Sequence, residues 1–255
     1  MRGAGLSGCW AAAMLAAVVG HAADGSLPDG FVHLSRIDPT IRQEIRYAGS
    51  DNFTGSALPG YDSNECVLRL SAAEALKKVQ ADLAATGLGL KVFDCYRPDR
   101  AVARMYAWAK DGKPATDAMK RFFPKHDKAS LHSLGFIARK SAHSSGVAVD
   151  LTLVDLKQPS TLPPIDPTQC LGQASGRSSA DEIDMGTGFD CFDDKSATAA
   201  GGVTDEQRRF RTLLVDAMRQ HGFTNYKREW WHFTFRGEKA SGPFDFPVTA
   251  PDPVN

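Results

Sequence analysis

Along the chain, hydrophobic positions recur with a helical period in two places and with a strand-like alternation in three. Leu76, Val79 and Leu83 share one helical face behind Ser71-Ala72-Ala73-Glu74, which has the form of a capping box, and Gly87 stops the run. Phe210, Leu213, Leu214 and Met218 form a second face behind Thr204-Asp205-Glu206-Gln207, another capping box, and Gly222 ends it. Ala101 to Lys110, just past Pro98, is a third helical stretch. Leu90 to Tyr96 reads as a strand, and so does Val147 to Val154, with Val147, Val149, Leu151 and Leu153 on one face and Ala148, Asp150 and Thr152 on the other. Phe223 to Phe235 reads as a further strand. Residues 31–62 are turn-rich, and 155–203, rich in Pro, Ser, Gly and Asp, reads as a surface loop or insertion. Helices and strands are mixed without a regular β-α-β alternation. The expectation is a single α+β domain with an antiparallel sheet flanked by helices.

The start of the chain stands outside this pattern. Arg2 precedes an apolar run, Cys9 to Val19, and Gly20-His21-Ala22 offers small residues of the kind a signal peptidase reads. The run is too short to span a bilayer, which needs roughly 20 residues. Residues 1–22 are therefore expected to be a cleaved signal peptide, and 23–255 one exported domain without stable membrane insertion, periplasmic or secreted. Lys plus Arg and Asp plus Glu number 30 each, so losing Arg2 leaves one excess negative charge. Nucleic acid and anionic membrane surfaces call for a basic excess, and both are excluded as partners. Past the leader stand Cys66, Cys95, Cys170 and Cys191, an even set in an exported chain, which favours disulfides. Three pairings are open. Cys170–Cys191 with Cys66–Cys95 is favoured, because a bridge across the Gly/Ser-rich stretch would stabilise it by roughly 3 kcal/mol.

Two short runs carry chemistry: Ser141-Ala142-His143-Ser144-Ser145-Gly146-Val147-Ala148-Val149-Asp150 and Glu229-Trp230-Trp231-His232. They supply two imidazoles, a carboxylate and a spare carboxylate, the inventory of a catalytic zinc site with three protein ligands, one open position and a general base. Asp150 in an apolar strand needs a partner, a metal or an arginine, because a buried unpaired carboxylate is costly. His143 and Asp150 are an odd number apart and would oppose each other on a straight strand; Gly146 permits the turn that brings His143 back. Glu229 and His232 are also an odd number apart, so a bulge or a strand end must turn them to one side.

The pattern S-x-H-x-x-G-x-A-x-D followed by Leu151-Thr152-Leu153, together with E-W-W-H, resembles the zinc D-alanyl-D-alanine dipeptidases, the VanX-like group of D,D-peptidases. Asp51-Asn52-Phe53-Thr54-Gly55 with Gly60-Tyr61, Asp94-Cys95-Tyr96-Arg97-Pro98, Met185-Gly186-Thr187-Gly188-Phe189-Asp190 and Phe244-Asp245-Phe246-Pro247-Val248 resemble further segments of that group, in the same order. The resemblance, from about residue 31 to 248, implies the D,D-peptidase/hedgehog-type fold and one Zn2+ per chain held by His143, Asp150 and His232. It implies Glu229 as general base, Arg97 as the cation facing the oxyanion, and Tyr61, Ser141 and Asp190 near the substrate's amino terminus, with a small D,D-dipeptide as substrate. Two departures stand out. The vancomycin-resistance dipeptidases of the group work in the cytoplasm, whereas this chain carries a leader, so recycling or catabolism of the dipeptide fits better than resistance. The stretch between Asp150 and Met185 is also longer than the group leads one to expect. The rival readings are a D,D-carboxypeptidase trimming peptidoglycan stem peptides and a non-catalytic, zinc-retaining peptidoglycan-binding module.

Overall fold

The computed structural model of the protein describes Met1, residues 27–160 and residues 169–253. The expected signal peptide, apart from Met1, and part of the expected insertion lie outside the described residues.

Among the described residues, the main sheet has five strands in the order β2-β4-β5-β7-β6. They are β2 (Arg42–Gln43), β4 (Leu88–Asp94), β5 (Ala148–Asp155), β6 (Phe223–Asn225) and β7 (His232–Phe235). β1 (Phe31–His33) and β3 (Val67–Arg69) form a separate antiparallel pair. In the main sheet β4, β5, β7 and β6 are antiparallel neighbours, as the α+β reading requires, and only the two-residue edge strand β2 runs parallel to its neighbour β4. β5 is central, and Ala148 through Val154 are all buried, so its alternation of apolar and polar residues separates two interior faces rather than core from water.

The Leu70–Ala84 and Asp205–Gln220 helices pack on each other and on strands β4, β5 and β6. The second starts as its sequence predicts: the Thr204 side chain accepts from the Gln207 N–H, and the Gln207 side chain accepts from the Thr204 N–H. The first does not. It begins at Leu70 with Arg69 as N-cap and no side-chain cap, and Ser71, already inside the helix, donates its hydroxyl to Glu238. The Asp99–Lys110 helix buries Ala101, Val102, Met105 and Trp108. No helix among the described residues is long and apolar enough to cross a membrane.

Two expectations are corrected. The single strand Phe223–Phe235 is a hairpin, β6 and β7 joined by residues 226–231. The Asn225 amide holds the turn by donating to the carbonyls of Glu229 and His232, each at 3.0 Å. The 155–203 stretch is also more than a surface loop: Asp181, Met185, Thr187, Phe189, Asp190, Cys191, Phe192 and Ser196 are buried. A composition argument counts apolar area, and here polar partners stand in for it. Buried Arg211 donates to the carbonyls of Met185 (2.8 Å), Lys195 (3.1 Å) and Ala197 (2.7 Å). Buried Lys91 on β4 donates to Asp181 at 2.9 Å and to Glu182 at 3.3 Å. Cys170 and Cys191 are disulfide-bonded, and so are Cys66 and Cys95, the favoured pairing.

Replacing Arg211 by Met should leave those buried carbonyls without donors, lowering stability by about 3 kcal/mol or more in urea melts. Unchanged stability would mean that Arg211 does not organise residues 185–197.

Candidate metal and active site

Three strands bring the site together. Asp94 at the end of β4 lies in register with Asp150 on β5, past a bulge between Val92 and Asp94, and Asp150 lies in register with His232 on β7. His232 opens β7, and Glu229 sits in the preceding turn, where it is free of the strand's alternation; this strand end supplies the correction that the odd spacing demands. Trp230 and Trp231 are core residues behind the turn. The Trp230 indole donates to the Thr187 hydroxyl at 2.8 Å, and Trp231 packs edge-on against Phe189.

His143 lies in a single 3-10 turn, Ala142–Ser145, and its own N–H donates to the Ser141 side chain that caps the turn. Gly146 ends the turn at φ 75°, the left-handed conformation expected of it, and a Cβ there would stand 2.3 Å from the Phe31 ring. The turn returns His143 over Asp150. The ligand atoms of His143, Asp150 and His232 all lie within 4.8 Å of one another and could hold a metal ion. His143 Nε2 is 3.1 Å from His232 Nδ1 and 3.3 Å from an Asp150 oxygen, and His232 Nδ1 is 2.9 Å from the other.

The chemistry of these donors fits a cation. His143 Nδ1 is 2.7 Å from the Cys95 carbonyl, which can only accept, so Nδ1 carries the proton and Nε2 presents a lone pair to the cluster. A lone-pair nitrogen, a second imidazole nitrogen and a carboxylate thus converge, the mixed N/O set that suits zinc. Burial pushes the Asp150 carboxyl up, but the two imidazoles against it outweigh burial and hold it well below the usual carboxylate range.

The cluster opens into a cavity of about 310 Å³. Arg97, Ser141, Asp190, Glu229 and Tyr47 line it with the three candidate ligands, and Phe53, Val102, Met105, Phe136, Ile137 and Phe192 give it an apolar wall. Arg97 is aimed by Asp94: its Nε and Nη2 donate to one carboxylate oxygen at 2.8 and 2.6 Å, which leaves Nη2 3.7 Å from Asp150. Burial opposes the guanidinium's charge, but Asp94 and the neighbouring anions raise its pKa above the ordinary value, so it stays protonated. Tyr61 does not line the cavity. Its buried hydroxyl donates to the other Asp94 oxygen at 2.6 Å, one step behind Arg97.

Asp190 adopts φ 54°, a left-handed backbone uncommon outside glycine and tolerated by Asp. Its carboxylate accepts the Tyr47 hydroxyl at 2.6 Å. Burial raises the Asp190 pKa to about 7, against the pull of that hydrogen bond. Glu229, 3.9 Å from His232, is likewise raised to about 7, by burial first and against the pull of His232, with Asp150 and Asp190 adding to the rise. A carboxylate titrating near neutrality is suited to accept and return a proton. Sequence reasoning had overlooked Tyr47 altogether, and nothing local marks it. Asp94 lies in the Asp94-Cys95-Tyr96-Arg97-Pro98 segment, whose local pattern assigns it no role.

Raised carboxyl pKa values cost stability as pH rises, because the unfolded chain has released protons that the native state still holds. The metal-free protein should therefore lose stability between about pH 4 and 7. Glu229→Gln should flatten that slope and be more stable at pH 8 by on the order of 2–3 kcal/mol, read from denaturant melts. An unchanged slope would contradict a neutral Glu229 in the fold.

The family profile described as D-ala-D-ala dipeptidase, Peptidase M15, matches residues 28–163 and 168–249. A D-alanyl-D-alanine dipeptidase of Enterococcus faecium is 35% identical over 221 residues, 86% of this chain and 98% of that protein. One from Streptomyces coelicolor is 32% identical over 86% of this chain and 98% of its own length, and one from Escherichia coli 30% identical over 79% and 82%.

Proposed function

The chain belongs to the Peptidase M15 family of D-Ala-D-Ala dipeptidases, and from that premise we propose that it is an exported zinc dipeptidase cleaving D-Ala-D-Ala into two molecules of D-alanine. One observation carries the proposal: His143, Asp150 and His232 converge in a cavity whose lining also includes Glu229, Arg97 and Asp190. Those three ligands would hold one zinc ion per chain. Bound there, zinc supplies Lewis acidity and lowers the pKa of water from about 15.7 towards 7.

Everything else falls to the protein. Glu229 takes a proton from the attacking water as its oxygen bonds to the amide carbon, then delivers that proton to the leaving nitrogen as the C–N bond breaks. Burial favours its protonated form, which lets it hold the proton between the two transfers. The guanidinium of Arg97, held by Asp94, faces the negative charge that grows on the former carbonyl oxygen, and a fixed donor of this kind is worth several kcal/mol at the transition state. Asp190, steadied by Tyr47, is the anionic partner for the substrate's ammonium group. A longer peptide carries an uncharged amide at that position, which leaves the buried carboxylate without its ion-pair partner and favours the dipeptide over stem peptides. The apolar wall takes the methyl groups. Export is supported by the leader-like start of the sequence and by the two disulfides. Outside the cytoplasm the products serve recycling or nutrition rather than depletion of the intracellular dipeptide pool.

Purified protein should hydrolyse D-Ala-D-Ala, and should leave L-Ala-L-Ala, N-acetylated D-Ala-D-Ala and a stem pentapeptide essentially uncut; cleavage of the pentapeptide would favour a carboxypeptidase instead. Glu229→Ala should keep zinc while kcat falls by about 10² to 10⁴. His143→Ala should lose the metal. A Glu229→Ala enzyme with near-normal turnover would remove the base assignment.

A further inference from the structure

We propose that the Cys66–Cys95 disulfide is a positioning element of the metal site, setting the direction of the carbonyl that orients His143. The inference deepens the zinc reading above, since it concerns the same site. Cys95 follows β4 directly and lies between the residues that build the site's cationic corner: Asp94 precedes it, and Arg97 comes two residues later. Its carbonyl accepts the His143 Nδ1 proton at 2.7 Å and thereby chooses which imidazole nitrogen faces Asp150 and His232. Past the bulge between Val92 and Asp94 the ladder makes one last pair, Asp94 with Asp150, and β4 ends there, so regular strand pairing does not hold the Cys95 peptide.

The disulfide takes over from the ladder. It ties Cys95 to Cys66, the residue immediately before β3, with 5.4 Å between the Cα atoms. Cys66 is itself fixed on both sides of its peptide: its N–H donates to the Gln43 side chain at 2.6 Å, and its carbonyl accepts the Leu34 N–H at 2.8 Å. One residue on, the Tyr96 N–H donates to the Val67 carbonyl at 2.8 Å, and the Arg97 N–H reaches the His143 carbonyl at 3.3 Å. The segment bearing Asp94, Cys95 and Arg97 is thus pinned to β3 at one side and to the His143 turn at the other. Both sulfurs are buried, Cys66 completely. Without the bond, the peptide that orients His143 is held only by the Tyr96 and Arg97 N–H bonds that follow it, and the imidazole gains freedom to turn. Partners that orient a metal-bound histidine are worth about 10- to 100-fold in metal affinity or activity.

The test compares two double variants of the full chain, Cys66→Ala with Cys95→Ala and Cys170→Ala with Cys191→Ala, each checked for folding by circular dichroism. Zinc affinity is measured by competition with a chelator. In the metal-free protein labelled with ¹⁵N-histidine, the hydrogen-bonded Nδ1 proton of His143 is followed by NMR. Loss of Cys66–Cys95 should weaken zinc binding about 10- to 100-fold and abolish the protected Nδ1 proton, while loss of Cys170–Cys191 leaves both in place. If the first pair keeps wild-type affinity and the protected proton, or if both pairs lose them equally, the proposal falls. Should the first alanine pair not fold, Cys66→Val with Cys95→Ala, which refills the buried volume, takes the same test. Neither readout requires a peptide substrate, so a failed dipeptidase assay and a failed positioning role are separate results.

Discussion

Burying several negative charges in one small volume is the constraint on which this structure depends. Asp94, Asp150 and Asp190 are almost wholly inaccessible, and Glu229 is only slightly exposed beside them. Left uncompensated, any one of these groups would cost several kcal/mol or give up its charge. The fold answers each differently. Asp94 receives the Arg97 guanidinium on one oxygen and the Tyr61 hydroxyl on the other. Asp150 receives two imidazoles, an arrangement that could hold a metal ion. Asp190 and Glu229 receive less, and burial raises both to about 7. The gradient from fully to partly compensated carboxylates matches the roles proposed above, with the best-compensated group positioning, the next one ligating, and the least compensated moving protons or meeting a positively charged substrate.

Much of this was legible before the fold. The strand carrying Asp150, the turn enforced by Gly146 and the helix capped by Thr204 follow from local spacing or from the chemistry of single residues, and the disulfide pairing is the favoured one of three that the sequence leaves open. The two runs named from sequence do meet, because an odd spacing on a strand is a local geometric fact that needs a local remedy. Gly146 supplies one remedy and the start of β7 the other.

What was missed depends on contacts between distant parts of the chain. Tyr47 acquires its meaning from Asp190, more than a hundred residues away. Tyr61 was placed at the substrate, yet its hydroxyl turns inward to Asp94, a choice made by packing rather than by the loop's own sequence. The interior course of residues 179–197 rests on Arg211 and Lys91, which a count of apolar residues scores as surface. Ser71-Ala72-Ala73-Glu74 satisfied a pattern for capping, but the helix starts earlier because β3 runs directly into it at Leu70.

The register of Asp94, Asp150 and His232 across three neighbouring strands has a kinetic side. These residues lie far apart in sequence and become neighbours only once β4, β5 and β7 have zipped together, so the cation site belongs to the last contacts of high contact order rather than to any early hairpin. A nascent or freshly unfolded chain offers scattered histidines and carboxylates but no preformed nest for an ion. The ion of the proposed reaction would therefore find its three ligands together only in the assembled sheet, as the keystone of a finished arch rather than as the scaffold on which it is raised.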